Sequence, residues 1–349
     1  TGERRRVSTS ITIRDVAKHA GVGVGTVSRV LNKSEAVRES TRLKVLTAID
    51  ELNYSPSSVA RYLSGGKSMA LGVTVPFFTN DSVVRRLQGV VSVLGDSDYD
   101  LVLFDVEKSE NKGELLANIA QRSLVDGLLI LSMLPAASDL ERFLASGIPA
   151  VFVDSFHPDL PSITVDNEFG AWQAARHLLD LGHRRIGYLS DYPDNPFNSA
   201  PVVDRLAGFY RALEESGNSF NADFYAESAV DRDDARRKAY ALLNREQRPT
   251  AVFAYCDVQA IGVIEAAREL GLRVPQDLSV IGYDGIEAAE YMQLTTVRQS
   301  LFDSGVRGAE LLLQVMDGYL PDEIRIVLPT ELVTRTTTAP PSTVAVSGF

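Results

Sequence analysis

The residues of this sequence with chemistry to offer are four histidines, one cysteine and a set of aspartates that follow apolar runs. His19, His157, His177 and His183 have no metal-ligand spacing with one another. No Gly-x-Ser-x-Gly elbow occurs, and nothing in the sequence marks a base partner for Cys256, so no activated nucleophile is legible. The aspartates read differently. Asp154 follows Ala-Val-Phe-Val, Asp166-Asn167 follow Ile-Thr-Val, Cys256-Asp257 follow Val-Phe-Ala-Tyr, and Asp284 follows Val-Ile-Gly-Tyr, while Arg205 lies at a helix start. Singly, each reads as a helix cap. Together they sit where carboxylates and a guanidinium would read the hydroxyls of a polar ligand.

What must position them is a repeated βα pattern. Apolar runs at 70–75, 100–104, 127–131, 150–153, 163–165, 186–189, 251–254 and 278–282 read as strands buried on both faces of a parallel sheet. Helical patterns lie between, as at 171–181, 204–216 and 258–270. This predicts a doubly wound α/β architecture. More than 260 residues of it imply two such lobes, with a ligand in the cleft at the carboxyl ends of the strands.

Ahead of the α/β body lies a different pattern. Thr12-Ile13-Arg14-Asp15 is a helix start of capping-box type, Ile13, Val16, Ala17 and Ala20 follow at helical spacing, and Gly21 stops the helix. A second helix begins near Val24, with Val27, Val30 and Leu31 inward and Thr26, Ser28 and Arg29 outward. Two short helices joined through a Gly-containing turn are a helix-turn-helix signature. A third, from about 39 to 52, is expected to bury Leu43, Leu46, Ile49 and Leu52 against the pair. Small polar residues and an arginine on the second helix suit close approach to base edges and phosphates. Pro56 ends the third helix, the serines after it can cap one or two further turns, and Gly65-Gly66 break them. A helix this short is expected to form only when held, for instance against DNA and a twin in a dimer. Two look-alikes fail: Gly21-x-Gly23 lacks a third glycine and a preceding strand, and Gly66-Lys67-Ser68 has Arg61 where a P-loop needs its first glycine.

Charge supports the division. The 349 residues carry net −11, yet residues 1–67 hold 12 Lys and Arg against 6 Asp and Glu, net +6, and the remainder 23 against 40, net −17. A basic head on an acidic body places the footprint for phosphate at one end. The single cysteine argues against a disulfide framework or cysteine-rich zinc site. No apolar run approaches a membrane span and no signal-like segment opens the sequence, so a cytoplasmic protein with no membrane partner is expected.

These residues resemble the lac-repressor/gal-repressor (LacI/GalR) family. The resemblance lies in Ile13-Arg14-Asp15-Val16-Ala17, Ala20-Gly21-Val22, Thr26-Val27-Ser28-Arg29-Val30-Leu31-Asn32, Asn53-Tyr54-x-Pro56 and Ala60-Arg61-x-Leu63. It continues through Leu181-Gly182-His183-x-x-Ile186, Arg205-x-x-Gly208-Phe209, Pro275-x-Asp277-x-Ser279-Val280-x-Gly282-Tyr283-Asp284 and Leu294-Thr295-Thr296-Val297. It implies an all-α helix-turn-helix domain at 11–56, a hinge helix and linker at 57–68, an effector-binding and dimerisation body at 69–338, and a flexible tail at 339–349. The body would be of type I periplasmic-binding-protein fold, its two α/β lobes interleaved because the chain crosses between them three times.

The resemblance further implies a homodimer on a near-palindromic, double-stranded operator. Val24 and Gly25 match positions that vary with operator sequence, and Arg29 matches a base and backbone contact. Thr12, Arg14, Thr26, Ser28, Asn32, Tyr54, Ser57 and Ala60 are the further expected DNA contacts, and Leu63 matches a leucine that wedges between central base pairs. Phe77, Asp154, Arg205, Cys256 and Asp284 are the expected effector contacts, Cys256 standing where the family often has Asn. A bound effector would change the lobe angle and so the spacing of the hinge helices. Three features depart from the family: Ser57 replaces a usual Asn, Gly23 a usual Ser cap, and the tail from Pro340 has no leucine heptad, so a dimer rather than a tetramer is expected. The expected function is transcriptional regulation, as a repressor, switched by a small polar effector, most readily a sugar, with no cofactor and no enzymatic activity. A purine- or nucleoside-responsive regulator is the alternative, and a sugar-binding protein without a DNA role the weaker one.

Overall fold

A computed structural model describes residues 11–31, 34, 36–54, 68–95, 97–106, 112–195 and 197–342. The chain separates into two compact units, a small N-terminal helical one and a large α/β one.

The helical unit holds α1 (Ile13–Ala20), α2 (Val24–Leu31) and α3 (Glu39–Glu51). At the start of α1 the Asp15 carboxylate accepts from the Thr12 backbone N–H at 2.8 Å and its hydroxyl at 2.7 Å. Gly21 takes φ 65° at the end of α1, a left-handed conformation open to glycine. The Gly23 carbonyl accepts from Thr26 and Val27, so α2 starts on backbone alone. Val16, Ala17, Val27, Val30, Val45, Ala48 and Tyr54 form the core. Here the expectation for α3 is corrected. Val45 and Ala48 are buried with Ile49 and Leu52 against them, whereas Leu43 and Leu46 are exposed. At about 100° per residue, Leu43 and Leu46 lie well round the helix from Val45.

The large unit contains two six-stranded sheets. The first runs β11-β5-β4-β3-β1-β2, from β1 (Ala70–Val75), β2 (Asp100–Asp105), β3 (Gly127–Leu131), β4 (Ala150–Val153), β5 (Ser162–Val165) and β11 (Arg325–Leu328). The second runs β12-β10-β9-β8-β6-β7, from β6 (Ile186–Ser190), β7 (Tyr225–Glu227), β8 (Ala251–Ala254), β9 (Ser279–Asp284), β10 (Thr295–Gln299) and β12 (Thr330–Val333). The chain therefore passes between sheets after β5, after β10 and after β11, the three crossings expected. Central pairs are parallel, and β12 runs antiparallel on β10.

Strands β1, β3, β4, β5, β6, β8 and β9 are buried throughout, which is why they read as unbroken apolar runs. Strand β2 is a correction to that reading, because three of its six residues are half-covered and none is buried, as on an edge. Strands β7, β10, β11 and β12 gave no continuous apolar signal, since they are short, half-covered or threonine-rich.

Flanking helices are α4 (Asp81–Leu94), α5 (Lys112–Arg122), α6 (Ala137–Leu144), α7 (Asn167–Asp180), α8 (Ala200–Glu215), α9 (Arg232–Leu243), α10 (Asp257–Glu269), α11 (Glu287–Tyr291) and α12 (Leu301–Met316). Glycine sets the two tightest crossings. A Cβ on Gly305 of α12 would lie 1.9 Å from the Arg86 carbonyl oxygen on α4, and one on Gly208 of α8 would lie 2.0 Å from that of Glu168 on α7. The segment expected to be free from 339 is anchored at first: Ala339 pairs with Ser279 and His183, and the Ser342 hydroxyl donates to the Gln276 carbonyl.

Candidate effector cavity and reading helix

Strands β1, β3, β4, β6, β8, β9 and β10 of the large unit end at one cavity of about 710 Å³, and at four of these ends the chain turns through positive φ. Phe77 (φ 53°) follows β1, Ser132 (φ 49°) follows β3, Asp154 (φ 63°) follows β4, and Asp284 (φ 111°) closes β9. Such values cost non-glycine residues about 1–3 kcal/mol and persist where surroundings over-determine them. Here they turn the side chains of strand ends into the opening between the sheets.

The floor is a chain of charged and amide groups. Arg86 on α4, 2% exposed, pairs with Asp154 at 2.8 Å and donates to the Gln299 side-chain oxygen at 3.2 Å. The Gln299 amide in turn donates to Asp284. Asp284 faces Arg205 at 3.6 Å. Arg205 donates to the Asn167 side chain at 2.9 Å and the Tyr255 carbonyl at 2.7 Å, with its guanidinium 3.8 Å from the Tyr283 ring centroid and 4.4 Å from that of Tyr255. Ser132 donates to Asp154 at 2.8 Å. Burial pushes the Asp284 carboxyl above its ordinary range, against the pull of Arg205 and Arg86. Burial, helped by Asp284, also pushes the Cys256 thiol up, so it is an inert wall group rather than a nucleophile.

Beneath the floor, Asp257 is fully buried and accepts from the Gly285 and Ile286 backbone N–H groups at 2.7 and 2.9 Å and from the Thr296 hydroxyl. Burial and then the Asp284 charge raise its pKa to about 8. It pins the turn that aims Asp284.

All five expected effector residues, Phe77, Asp154, Arg205, Cys256 and Asp284, line this cavity. Arg86, Asp191, Tyr255 and Gln299 line it too, and sequence reasoning missed them. Tyr255 lay in the quoted run before Cys256, so a strand-end rule applied one residue earlier would have found it. Nothing in sequence distinguishes Arg86 from its neighbour Arg85. Asp166 and Asn167 divide their roles: Asp166 caps α7 through the Phe169 N–H, and Asn167 holds Arg205. No group of three or more His, Cys, Asp or Glu that could hold a metal occurs among the described residues.

On the helical unit, Val24, Gly25 and Arg29 are exposed on α2, and Thr26 and Ser28 are half-covered beside them. Thr12 and Arg14 are exposed at the start of α1. Tyr54, also an expected DNA contact, is 7% exposed and packs in the core of the helical unit. Asn32, Ser57, Ala60 and Leu63 lie outside the described residues.

Residues 12–57 match the family described as bacterial regulatory proteins, lacI family, and residues 175–338 match the periplasmic binding protein-like domain. Catabolite control protein A of Priestia megaterium is 33% identical, over 94% of this chain and 99% of its own. The HTH-type transcriptional repressor PurR of Vibrio vulnificus is 35% identical, over 93% and 98%. The lac repressor dimer bound to operator and the anti-inducer ONPF superposes with TM-score 0.82 at 32% identity, covering 95% of this chain and all of that one. The complex of the regulator CelR with cellobiose does so with TM-score 0.68 at 30% identity, covering 94% and 99%. No helix among the described residues is long and apolar enough to cross a membrane.

Proposed function

The chain belongs to the LacI family of bacterial regulatory proteins, DNA-binding transcription factors rather than enzymes, and from that premise we propose that it is a repressor working as a homodimer on a palindromic operator and switched by a sugar. The observation that carries the ligand half is the Asp154–Arg86–Gln299–Asp284–Arg205 floor of the cavity. Alternating carboxylates, guanidiniums and an amide, in a half-open cleft walled by Phe77, Tyr192 and Phe197, suit a ligand with many hydroxyls and apolar ring faces. The cellobiose held by the similar CelR supports the same reading. A purine effector is the second reading, which the aromatic wall would also serve by stacking.

The DNA half rests on the exposed face of α2 and the basic charge of residues 1–67. The contacts proposed for it are Val24, Gly25, Thr26, Ser28 and Arg29, with Leu63 as the minor-groove wedge. A binding assay on genomic fragments tests it: a tight complex with a palindrome is expected, log K falling by about 0.9 per neutralised phosphate with log salt. Salt-insensitive binding, or none to any fragment, overturns it. A thermal-shift screen of sugars and purines tests the effector, since a ligand held by the folded state raises its melting point.

A further inference from the structure

Resting on the sugar reading above, we propose that the cavity selects an uncharged ligand of two sugar-sized rings and rejects phosphorylated ones. The first ground is charge. The lining carries five carboxylates, Asp154, Asp191, Asp194, Asp231 and Asp284, against two guanidiniums and no lysine. Both guanidiniums are ion-paired, and only the buried Arg86 Nε is left without a hydrogen-bond partner. Arg86 is taken by Asp154 and Gln299, and Arg205 by Asn167, the Tyr255 carbonyl, Asp284 and two aromatic faces. Sites for phosphate offer unspent Arg or Lys donors or bare helix N-termini.

Helices α4, α8, α9 and α10 do start at this cavity. Two of them already carry acidic residues in the first turn: Asp81 on α4, and Asp233 and Asp234 on α9. Asp231 also caps α9 through the Asp234 N–H. A phosphate dianion would therefore enter a field of its own sign with no cation released to meet it. Sugar hydroxyls, which donate, meet a surplus of acceptors.

The second ground is size and division. A cavity of about 710 Å³, at roughly 30 Å³ per water-sized unit, has room for on the order of two dozen non-hydrogen atoms, about twice a hexose. Its inner half is the buried polar floor. Its outer half presents Phe77 and Tyr192, 39% and 38% exposed. Phe77 is braced edge-on by Phe197 at 4.9 Å, so its ring plane is held rather than free to swing. An inner ring read by hydroxyl contacts and an outer ring stacked on Phe77 and Tyr192 use both halves. A single ring leaves the aromatic half in water.

Calorimetric titration of the full chain tests this with uncharged disaccharides of several linkages (cellobiose, maltose, lactose, sucrose), their component hexoses, glucose 6-phosphate, and hypoxanthine and guanine. At least one disaccharide is expected to bind tenfold or more tighter than its hexoses, and glucose 6-phosphate more weakly than glucose. Phe77→Ala should bring the disaccharide-to-hexose ratio towards one. Asp194→Lys, at the exposed rim, should raise affinity for glucose 6-phosphate about fivefold at low salt. A hexose that binds as tightly as every disaccharide, or a phosphorylated sugar that binds tightest, overturns the proposal while leaving the sugar reading intact. Binding of a purine and of no saccharide overturns the sugar reading and the proposal with it.

Discussion

Arg86 on α4 donates to the side-chain oxygen of Gln299 at the end of β10, 3.2 Å away, so a guanidinium of one lobe is held by an amide of the other. Gln299 is also the last residue before the chain crosses back to the first sheet. One residue thus carries both the covalent crossing and the polar bridge. A ligand that competes for Arg86 or Asp284 acts directly on the joint between lobes.

Gln299→Leu keeps the volume and removes both bridge bonds, leaving a buried Arg86 donor and an Asp284 oxygen unmatched. Each such loss costs about 1–3 kcal/mol. Thermal unfolding should shift down by several degrees, and an unchanged melt would show that the bridge contributes nothing.

Arg205→Ala and Asp284→Asn should each abolish response to the effector while a folded dimer survives. Calorimetry reads the first and sedimentation the second. Since burial raises the Asp284 pKa, effector affinity should also weaken as pH falls through that raised value, where the carboxylate acceptor is lost. Unchanged ligand binding in both variants would put the site elsewhere.

Asp257 makes an unusual pH prediction. It titrates near the ordinary 3.8 when unfolded and at about 8 in the fold. Between those values the folded state holds a proton that the unfolded state releases, so through this group stability falls as pH rises. A salt-bridged aspartate does the opposite. Asp257→Asn imitates the protonated form and should gain on the wild type in melting temperature as pH is raised from about 5 to about 9. Parallel profiles would rule out the protonated state.

The α4–α12 crossing should tolerate nothing larger than glycine. Gly305→Ala would press a methyl group on the Arg86 carbonyl and displace the cavity arginine, at a cost of about 3 kcal/mol or more. Gly95→Ala is the control. Its nearest neighbour would stand at 3.6 Å, and a change within about 0.5 kcal/mol is expected. Similar melts for the two variants would contradict the close crossing.

On the helical unit, Arg29→Ala should weaken operator binding and reduce the salt slope by about one phosphate. Leu63→Ala should weaken operator binding while effector affinity stays almost unchanged. Equal losses in both affinities would contradict the wedge.

Much of the fold was legible because burial on both faces writes itself as unbroken apolar runs, as in Gly127–Leu131 and Ala150–Val153. Edge strands such as Arg325–Leu328 face water on one side, lose that signature and went unread. The strand-end residues Asp154 and Asp284 were legible for the same reason, since a polar residue closing an apolar run has to lie where the sheet stops. Leu43 and Leu46 were misjudged because hydrophobicity gives a residue's preference, while the phase of a short helix against its neighbours decides which side is covered.

Local order therefore determined the elements, the division into a basic head and an acidic body, and which strand ends carry carboxylates. Tertiary structure alone decided which charges meet. Arg85 and Arg86 are the same residue type side by side, yet Arg85 is exposed and Arg86 is buried against Asp154 and Gln299. The difference is about 100° of helix rotation, set by the bare backbone contact that Gly305 makes with α4 from more than two hundred residues away.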